Sequence, residues 1–194
     1  MADERKETEL IRLDALTLWG DKGNISVSIK NGYPRFTFFF RGEKGKFLSA
    51  PMDIKTFGVV GTLIKRVAKS KEDLKYSIEC YNKDYNTHEK ILQSILVIAK
   101  IDKDIYIGIK KDQSTPANLT KIEKSQYIKI SENDELPSDE LQTNELANTY
   151  ADLIFGAVLN YKANTDNIPN SARANQSAKP TGTYGNEEHS NSGL

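Results

Sequence analysis

The chain has 194 residues, of which 38% are hydrophobic and 28% are charged, and its formal net charge is zero. This length and composition suit one soluble globular domain, or at most two small ones, with a polar appendage. They exclude a bilayer-spanning helix, because no apolar run reaches the roughly 18 residues that a span needs. The single cysteine, Cys80, excludes an internal disulfide and a cysteine-based zinc site.

The N-terminal segment "MADERKETE" is charged and lacks the apolar stretch of a secretory signal. We therefore expect the protein to remain in the cytoplasm in which it is made, which is the host cytoplasm if a bacteriophage encodes it. With neither a signal nor a span, no membrane partner is expected.

Charge is distributed unevenly along the chain. Residues 1–131 carry 24 basic and 17 acidic side chains, a net charge of +7, whereas residues 132–145 carry six acidic side chains and no basic one. This segregation favours a basic surface that binds an anionic partner, although a lysine-rich solvated face beside an acidic loop gives the same counts. For residues 132–145 we favour a solvated loop that leads into the last helix over a segment that competes with nucleic acid or recruits partners.

Alternating apolar residues predict four short strands in the first half of the chain. In chain order they are "LIRLDALTLW" (10–19), "NISVSIK" (24–30), "PRFTFFFR" (34–41) and "KFLSA" (46–50). A helix is predicted over 52–70, with Asp53 as its N-cap. Its apolar stripe consists of Ile54, Phe57, Val60, Gly61, Ile64, and Val67 or Ala68.

The second half of the chain repeats this order. Strands are predicted over 76–82, 93–101, 104–111 and 120–130, and a helix over 137–162. The stripe of that helix consists of Leu146, Tyr150, Leu153, Ile154, Ala157 and Tyr161. The predicted fold class is α+β, with two ββββα repeats at about 8–70 and 75–162 whose antiparallel sheets pack with two helices. Residues 1–162 are the predicted domain, and the Asn-, Ser- and Gly-rich residues 163–194 predict a disordered polar tail.

The dipeptide Asn31-Gly32 is the strongest short hairpin signal in the chain. A two-residue turn at this point pairs Lys30 with Tyr33, and side chains then alternate between the two faces of the sheet. One face is apolar and is predicted to build the core, with Ile25, Val27, Ile29, Phe36, Phe38 and Phe40. The opposite face receives Ser26, Ser28, Lys30, Tyr33, Arg35, Thr37, Phe39 and Arg41.

That second face mixes rings, cations and small hydroxyls. Exposed rings stack with unpaired bases and cations neutralise the phosphates between them, so the composition indicates a groove for single-stranded nucleic acid. The predicted binding residues of the first half are Lys30, Tyr33, Arg35, Phe39, Arg41, Lys44 and Lys46. The alternative is that Phe39 is covered by another strand, a neighbouring subunit or the tail.

Tyr106 and Lys110 extend the predicted site into the second half of the chain. They alternate with three isoleucines that should face the core, and Gly108 between them leaves a flat place for close approach. Residues of similar parity, with less support, are Tyr81, Tyr127 and Lys129. Trp19 fits either a stacking ring or a cover for the core.

The segment "KFLSAPMDIKTFGVVGTLIK" (46–65) resembles a run in the Whirly and PUR-type single-stranded DNA-binding proteins: Lys-Phe, an apolar residue, Ser, an acidic helix start, then Gly and Leu-Ile. "KGK" at 44–46 is similar to the Lys-Gly-Lys of Whirly proteins, although theirs lies earlier. The resemblance covers about twenty residues in sequence and residues 8–162 in topology. It implies sequence-independent binding of single strands across the sheet faces, and assembly into tetramers or larger rings through the helices. Gly58 and Gly61 would suit close packing there, against the sheet or between subunits.

The expected function is a non-catalytic single-stranded DNA-binding protein of replication, recombination or repair, from a bacteriophage or a bacterium, without cofactor or metal. Expected partners are single-stranded DNA, further copies of this chain, and replication or recombination proteins. An enzyme is not expected, because His88 and His189 supply neither a triad nor a metal site. Two alternatives stay open: an RNA-binding or transcription-cofactor protein of the same fold, and a structural or assembly protein whose rings are buried in subunit contacts.

Overall fold

A computed structural model of the chain describes residues 10–30, 32–83, 87, 89–123 and 139–166. The chain divides into two units, residues 1–161 and residues 162–194. The strands and helices described below belong to the first unit, apart from the end of the last helix, which reaches Asp166. Residues 167–194 of the predicted tail lie outside the described residues, as do Tyr127, Lys129 and residues 132–138 of the acidic segment.

The first sheet is antiparallel and contains five strands. They are β1 (Leu10–Arg12), β2 (Leu18–Trp19), β3 (Gly23–Lys30), β4 (Tyr33–Phe40) and β5 (Phe47–Pro51). The strands lie side by side in the order β1-β3-β4-β5. β2 also pairs with β3, at a different part of that strand from β1. The strand predicted over 10–19 is therefore broken, because a 3-10 helix (Asp14–Leu16) interrupts it and carries Leu16 into the core.

The β3–β4 hairpin has the predicted register, in which Lys30 pairs with Tyr33 and Val27 with Phe36. Gly32 has a φ of +80°, a conformation that a turn of this kind requires and that glycine adopts without strain. The predicted core face is confirmed: five of its side chains are buried and Phe40 packs partly buried against them. The register therefore separates a core face from an outer face on the first sheet.

The second sheet contains four antiparallel strands in chain order. They are β6 (Leu74–Lys83), β7 (Lys90–Ile101), β8 (Asp104–Lys110) and β9 (Asn118–Lys121). Ile105, Ile107 and Ile109 face the core, as predicted. The two sheets meet where Ser94 Oγ of β7 donates a hydrogen bond to the Ser49 carbonyl of β5, at 2.7 Å.

The first helix, α1 (Ile54–Lys69), begins at the predicted cap. Asp53 Oδ1 accepts hydrogen bonds from the backbone N–H groups of Lys55 and Thr56, at 2.8 and 2.9 Å. The predicted stripe of α1 is confirmed, since its members from Phe57 to Ala68 are buried. The cap fixes where the chain leaves β5 and enters the helix.

The second helix, α2 (Asp139–Asp166), packs against α1. Tyr150 and Ile154 of its predicted stripe are buried, but the prediction for Leu153 is wrong, because this side chain is 42% exposed. Ala147 and Ala151 are buried instead. The two helices approach closely at Gly61, where an added Cβ would lie 3.0 Å from the Phe155 ring and 3.3 Å from the Ala151 carbonyl oxygen.

Gly58 and Gly61 therefore face α2 of the same chain. The nearest atom to a Cβ added at Gly58 is Val158 Cγ2, at 3.9 Å. An ion pair between Lys65 Nζ and Asp152 Oδ1, at 2.6 Å, also joins the helices. Both sheets and both helices contribute to one hydrophobic core. Within the described ranges, no helix is long and apolar enough to cross a membrane.

Candidate nucleic-acid interface

The outer face of the first sheet carries large rings that solvent reaches. Alternation along the paired strands places four aromatic side chains opposite the core: one from β2, two from β4 and one from β5. The exposed rings are Trp19, Tyr33, Phe39 and Phe47, with exposed fractions of 68, 60, 43 and 56%. Trp19, Phe39 and Phe47 are neighbours across the strands, whereas Tyr33 lies at the other end of β4. Exposed apolar side chains grouped in this way mark a binding surface in soluble proteins.

Phe39 and Phe47 form a pair at one end of this surface, beside the turn between β4 and β5. They lie directly opposite each other on β4 and β5, with ring centroids 6.1 Å apart and planes tilted by 45°. Phe39 was predicted to face outward, and it does. Phe47 was missed, although counting the register across the turn at 41–46 places it opposite Phe39. Two rings at this separation offer aromatic faces on which a base can stack.

A groove of about 390 Å³ lies between Trp19 and Phe39. Its floor consists of short polar side chains, among them Ser26, Ser28 and Thr37. Trp19 lines the groove and is largely exposed, which agrees with its interpretation as a ring on the surface, and its stacking with a base stays a prediction. Arg12 of β1 also lines the groove, and sequence reasoning missed it because the predicted strand 10–19 was treated as unbroken.

A second cleft, of about 490 Å³, lies at the other end of the same face. Two cations and two aromatic rings line it: Lys30, Arg35, Tyr33 and Tyr81. Arg35 Nε is buried and has no hydrogen-bond acceptor. A guanidinium partly removed from water without a partner destabilises the protein, so this cleft favours an anion. Of the predicted site residues, the structure brings Lys30, Tyr33 and Arg35 together here, and β6 adds Tyr81.

The turn between β4 and β5 carries the remaining predicted cations. Arg41 and Lys44 are exposed, and neither forms an ion pair with any described residue. Lys46 is different, because its Nζ lies 2.6 Å from Glu43 Oε2 and 4.6 Å from the centre of the Phe40 ring. Arg41 and Lys44 can therefore neutralise phosphates directly, whereas Lys46 must first leave Glu43.

Carboxylates also border this surface. Asp14 lines the groove and Asp53 lines the cleft. Hydrogen bonds from the backbone and side chain of Thr56 lower the pKa of Asp53, so this group is ionised at neutral pH. Glu79 accepts a hydrogen bond from the Tyr81 hydroxyl, and this bond, with a second one from Gln113, lowers the pKa of Glu79. Each of these carboxylates therefore weakens the attraction that the neighbouring cations exert on an anionic ligand.

The second sheet does not continue this pattern. The prediction for Lys110 is wrong: its side chain is only 7% exposed, and its Nζ donates to Gln113 Oε1 at 3.0 Å. Gln113 in turn donates to Glu79 Oε1 at 2.8 Å, so the β8–β9 loop reaches across to β6. Tyr106 lies on the second sheet, half-buried, beside the ion pair of Lys121 with Asp104. The interior of this outer face is apolar, with Ile95, Val97 and Ala99.

The chemically reactive thiol of the chain lies away from the outer face of the first sheet. Cys80 is 3% exposed on the core face of β6, as predicted from its alternation with Tyr76 and Ile78. Burial raises the pKa of its thiol to about 11, so the thiol is protonated at neutral pH. In the part of the chain that the structure describes, no group of three or more His, Cys, Asp or Glu side chains is placed to hold a metal ion.

Comparison of the chain with protein-family models, with curated proteins and with solved structures finds no match. The resemblance to the Whirly and PUR-type proteins therefore stays a prediction. The geometry gives one sheet face with exposed rings, a floor of small hydroxyls, and cations that form no ion pair with the residues that the structure describes.

Proposed function

We propose that this protein binds single-stranded DNA without sequence specificity, on the outer face of its first sheet, and acts in replication, recombination or repair. One observation carries the proposal: four exposed rings share that face or its rim with cations that have no ion pair among the described residues. The cations are Lys30, Arg35, Arg41 and Lys44.

The arrangement supports stacking as the main source of affinity for the bases. Each base stacked on an aromatic ring contributes about 1–3 kcal/mol, and every base has a face that can stack, so the contribution tolerates any sequence. The small side chains of Ser26 and Thr37 leave room for bases between Trp19 and Phe39. From Tyr33 to Phe39 the face extends for about 20 Å, at roughly 3.4 Å per residue.

The cations supply the electrostatic part of the affinity, because they neutralise the phosphates of the strand. Arg35 lies beside Tyr33 on the cleft, and Arg41 and Lys44 follow Phe39 at the other end of β4. A strand that lies along β4 therefore meets positive charge at both ends of the row of rings. If these four cations each neutralise one phosphate, log Kd changes with log salt concentration with a slope of about 3, since single strands give about 0.7 per phosphate.

The test uses the single tryptophan of the chain, Trp19, as its reporter. Oligothymidine should quench the fluorescence of Trp19 and raise the anisotropy of a label on the DNA, and both signals should weaken with salt. Arg35→Ala with Arg41→Ala should weaken binding strongly. The matched control, Arg66→Ala with Lys69→Ala, removes two exposed charges from the last turn of α1 and should leave affinity nearly unchanged. The absence of binding at low salt would contradict the proposal.

The same titration separates the two alternative functions. An RNA-binding or transcription-cofactor protein of this fold should prefer RNA over DNA of equal sequence, because only RNA offers a 2′-hydroxyl. A structural or assembly protein should bind neither and should bury its rings between subunits. Assembly of several copies is part of our proposal too, since Val59 and Leu153 are exposed on the helices. Sedimentation with and without DNA measures it.

A further inference from the structure

We propose that the cleft lined by Lys30, Tyr33, Arg35 and Tyr81 holds the terminal phosphomonoester of a DNA strand, so that the protein binds phosphorylated strand ends more tightly than hydroxyl ends. This inference rests on the proposed function and makes it more specific. It concerns one end of the interface, where the cleft combines side chains of the first sheet with Tyr81 and Asn82 of β6.

Three segments of the chain border the cleft. The β3–β4 hairpin contributes Lys30, Tyr33 and Arg35, the connection from β5 into α1 contributes Met52 and Asp53, and the end of β6 contributes Tyr81 and Asn82. Because β6 belongs to the second sheet, a strand that follows β4 meets side chains of that sheet here. A strand end fits this position better than a strand that continues.

Arg35 supplies the charge that an anion would neutralise. Its Nε is buried without an acceptor, and no described carboxylate forms an ion pair with it. Asp53, which also lines the cleft, is committed to α1: Oδ1 accepts from two backbone N–H groups and Oδ2 accepts from the Thr56 hydroxyl at 2.8 Å. An anion in the cleft would offset the cost of the partly desolvated guanidinium.

The charge of the ligand favours a monoester over an internal phosphodiester. A phosphomonoester carries about −1.5 to −2 at neutral pH, with a second pKa of about 6, and offers three acceptor oxygens. Lys30 and Arg35 together carry two positive charges and the ionised Asp53 carries one negative charge, so the cations attract a dianion more strongly than a singly charged diester despite Asp53. The rings of Tyr33 and Tyr81 are 60 and 47% exposed beside the cations, so the terminal base can stack on them. The Tyr81 hydroxyl is engaged with Glu79, which leaves its ring face for this contact.

The experiment compares three labelled oligothymidines of equal length, with a 5′-phosphate, with a 3′-phosphate, or with hydroxyls at both ends. One phosphorylated oligonucleotide should bind about tenfold or more tightly than the hydroxyl form, as expected for charge-assisted hydrogen bonds. Which one does so identifies the polarity of the bound strand. The preference should decrease as the pH falls from 7 to 5, because the monoester then gains a proton.

Arg35→Ala should abolish the preference, whereas Arg41→Ala should weaken all three complexes by the same factor. Lys30→Ala serves as a second variant of the cleft, and thermal unfolding checks that each variant is folded. Equal affinity of the wild type for the three oligonucleotides would overturn this inference and leave the proposed function standing. A preference that survives in both cleft variants would also overturn it. Failure of all three to bind would overturn the proposed function as well.

Discussion

The ring of Phe39 lies 6.1 Å from the ring of Phe47, on the side of the first sheet that faces away from the core. Their neighbours Phe38 and Leu48 are also paired, but point to the opposite, core side. The sheet therefore uses one half of this aromatic sequence for its core and keeps the other half in solvent. Exposing two phenylalanines in contact is unfavourable in an isolated protein, so the pair favours a ligand that covers it.

Replacing either ring of this pair should weaken DNA binding and leave the fold intact. Phe39→Ala and Phe47→Ala each remove a stacking surface and should each reduce affinity by about 1–3 kcal/mol. Because the rings are in contact, the double variant should lose less than the sum of the single losses. Fluorescence anisotropy at fixed salt measures all three affinities.

Leu159→Ala is the matched control for the rings, since Leu159 is 67% exposed on α2. It removes an exposed apolar side chain from a different surface and should leave DNA affinity unchanged. Equal losses of affinity in Leu159→Ala and Phe39→Ala would contradict the assignment of the interface to the first sheet.

Substitutions at the two glycines of α1, Gly58 and Gly61, should have clearly different effects on the stability of the fold. Gly61→Val places atoms against the Phe155 ring and the Ala151 carbonyl and should destabilise the fold by about 1–3 kcal/mol, as overpacking does. Gly58→Ala meets its nearest neighbour at an ordinary 3.9 Å, so it should be neutral or should stabilise the fold by up to about 1 kcal/mol through helix propensity. Urea denaturation measures both. Equal stability of the two variants would show that the helices are not packed through Gly61.

The thiol of Cys80 should be inert in the folded protein. Burial raises its pKa from an ordinary 9.0 to about 11, and the side chain is 3% exposed, so a thiol reagent at pH 8 should react only after denaturation. The unfolded state releases this proton at a lower pH than the folded state does. The stabilising contribution of the thiol is therefore complete below pH 9 and is lost as the pH rises toward 11.

Cys80→Ala tests the predicted loss of stability between pH 9 and 11. The variant should lose stability at neutral pH through its cavity, but its stability should fall less steeply than that of the wild type between pH 9 and 11. Rapid labelling of the native wild type at pH 8 would contradict the burial of Cys80.

The hairpin shows how far sequence alone determines the site. Asn31-Gly32 sets the turn, the turn sets the register, and the register assigns Phe39 and Arg35 to the outer face, since alternation leaves no other choice. Alternation along β8 assigned Lys110 to the correct face of the second sheet. It also predicted that the side chain is exposed to solvent, which is wrong. Alternation says which way a side chain points, and it does not say that Gln113 of the next loop will cover it.

The helices show a second limit of prediction from the sequence, which concerns the choice of buried positions. For α1 the stripe from Phe57 to Ala68 was correct because large apolar residues dominate it. For α2 a helical period admits Leu153 as readily as Ala151, and the choice depends on the partner. The position of α1 against α2 buries Ala151 and leaves Leu153 exposed, and that position is set by an element far along the chain.

Asp53 should oppose DNA binding while it stabilises α1, and two substitutions separate these effects. Asp53→Asn keeps a side-chain oxygen for the cap and removes a negative charge from the cleft, so stability should change little and DNA affinity should rise. Asp53→Ala removes the cap as well and should cost about 1 kcal/mol. The pKa of Asp53 is lowered in the folded state, mainly by hydrogen bonds from Thr56, so its contribution to stability is present above its ordinary pKa of 3.8 and is lost as the pH falls below it.

Asp73→Asn is the matched control, because Asp73 is exposed and precedes β6 at the end opposite Tyr81. It removes the same charge at a distance from the cleft of about 27 Å, at roughly 3.4 Å per residue of strand, where screening by salt is strong. Asp53→Asn should therefore raise affinity for a 5′- or 3′-phosphorylated oligonucleotide by a larger factor than Asp73→Asn does. Equal effects of the two variants would mean that only the net charge of the protein matters, and that the phosphate does not lie beside Asp53.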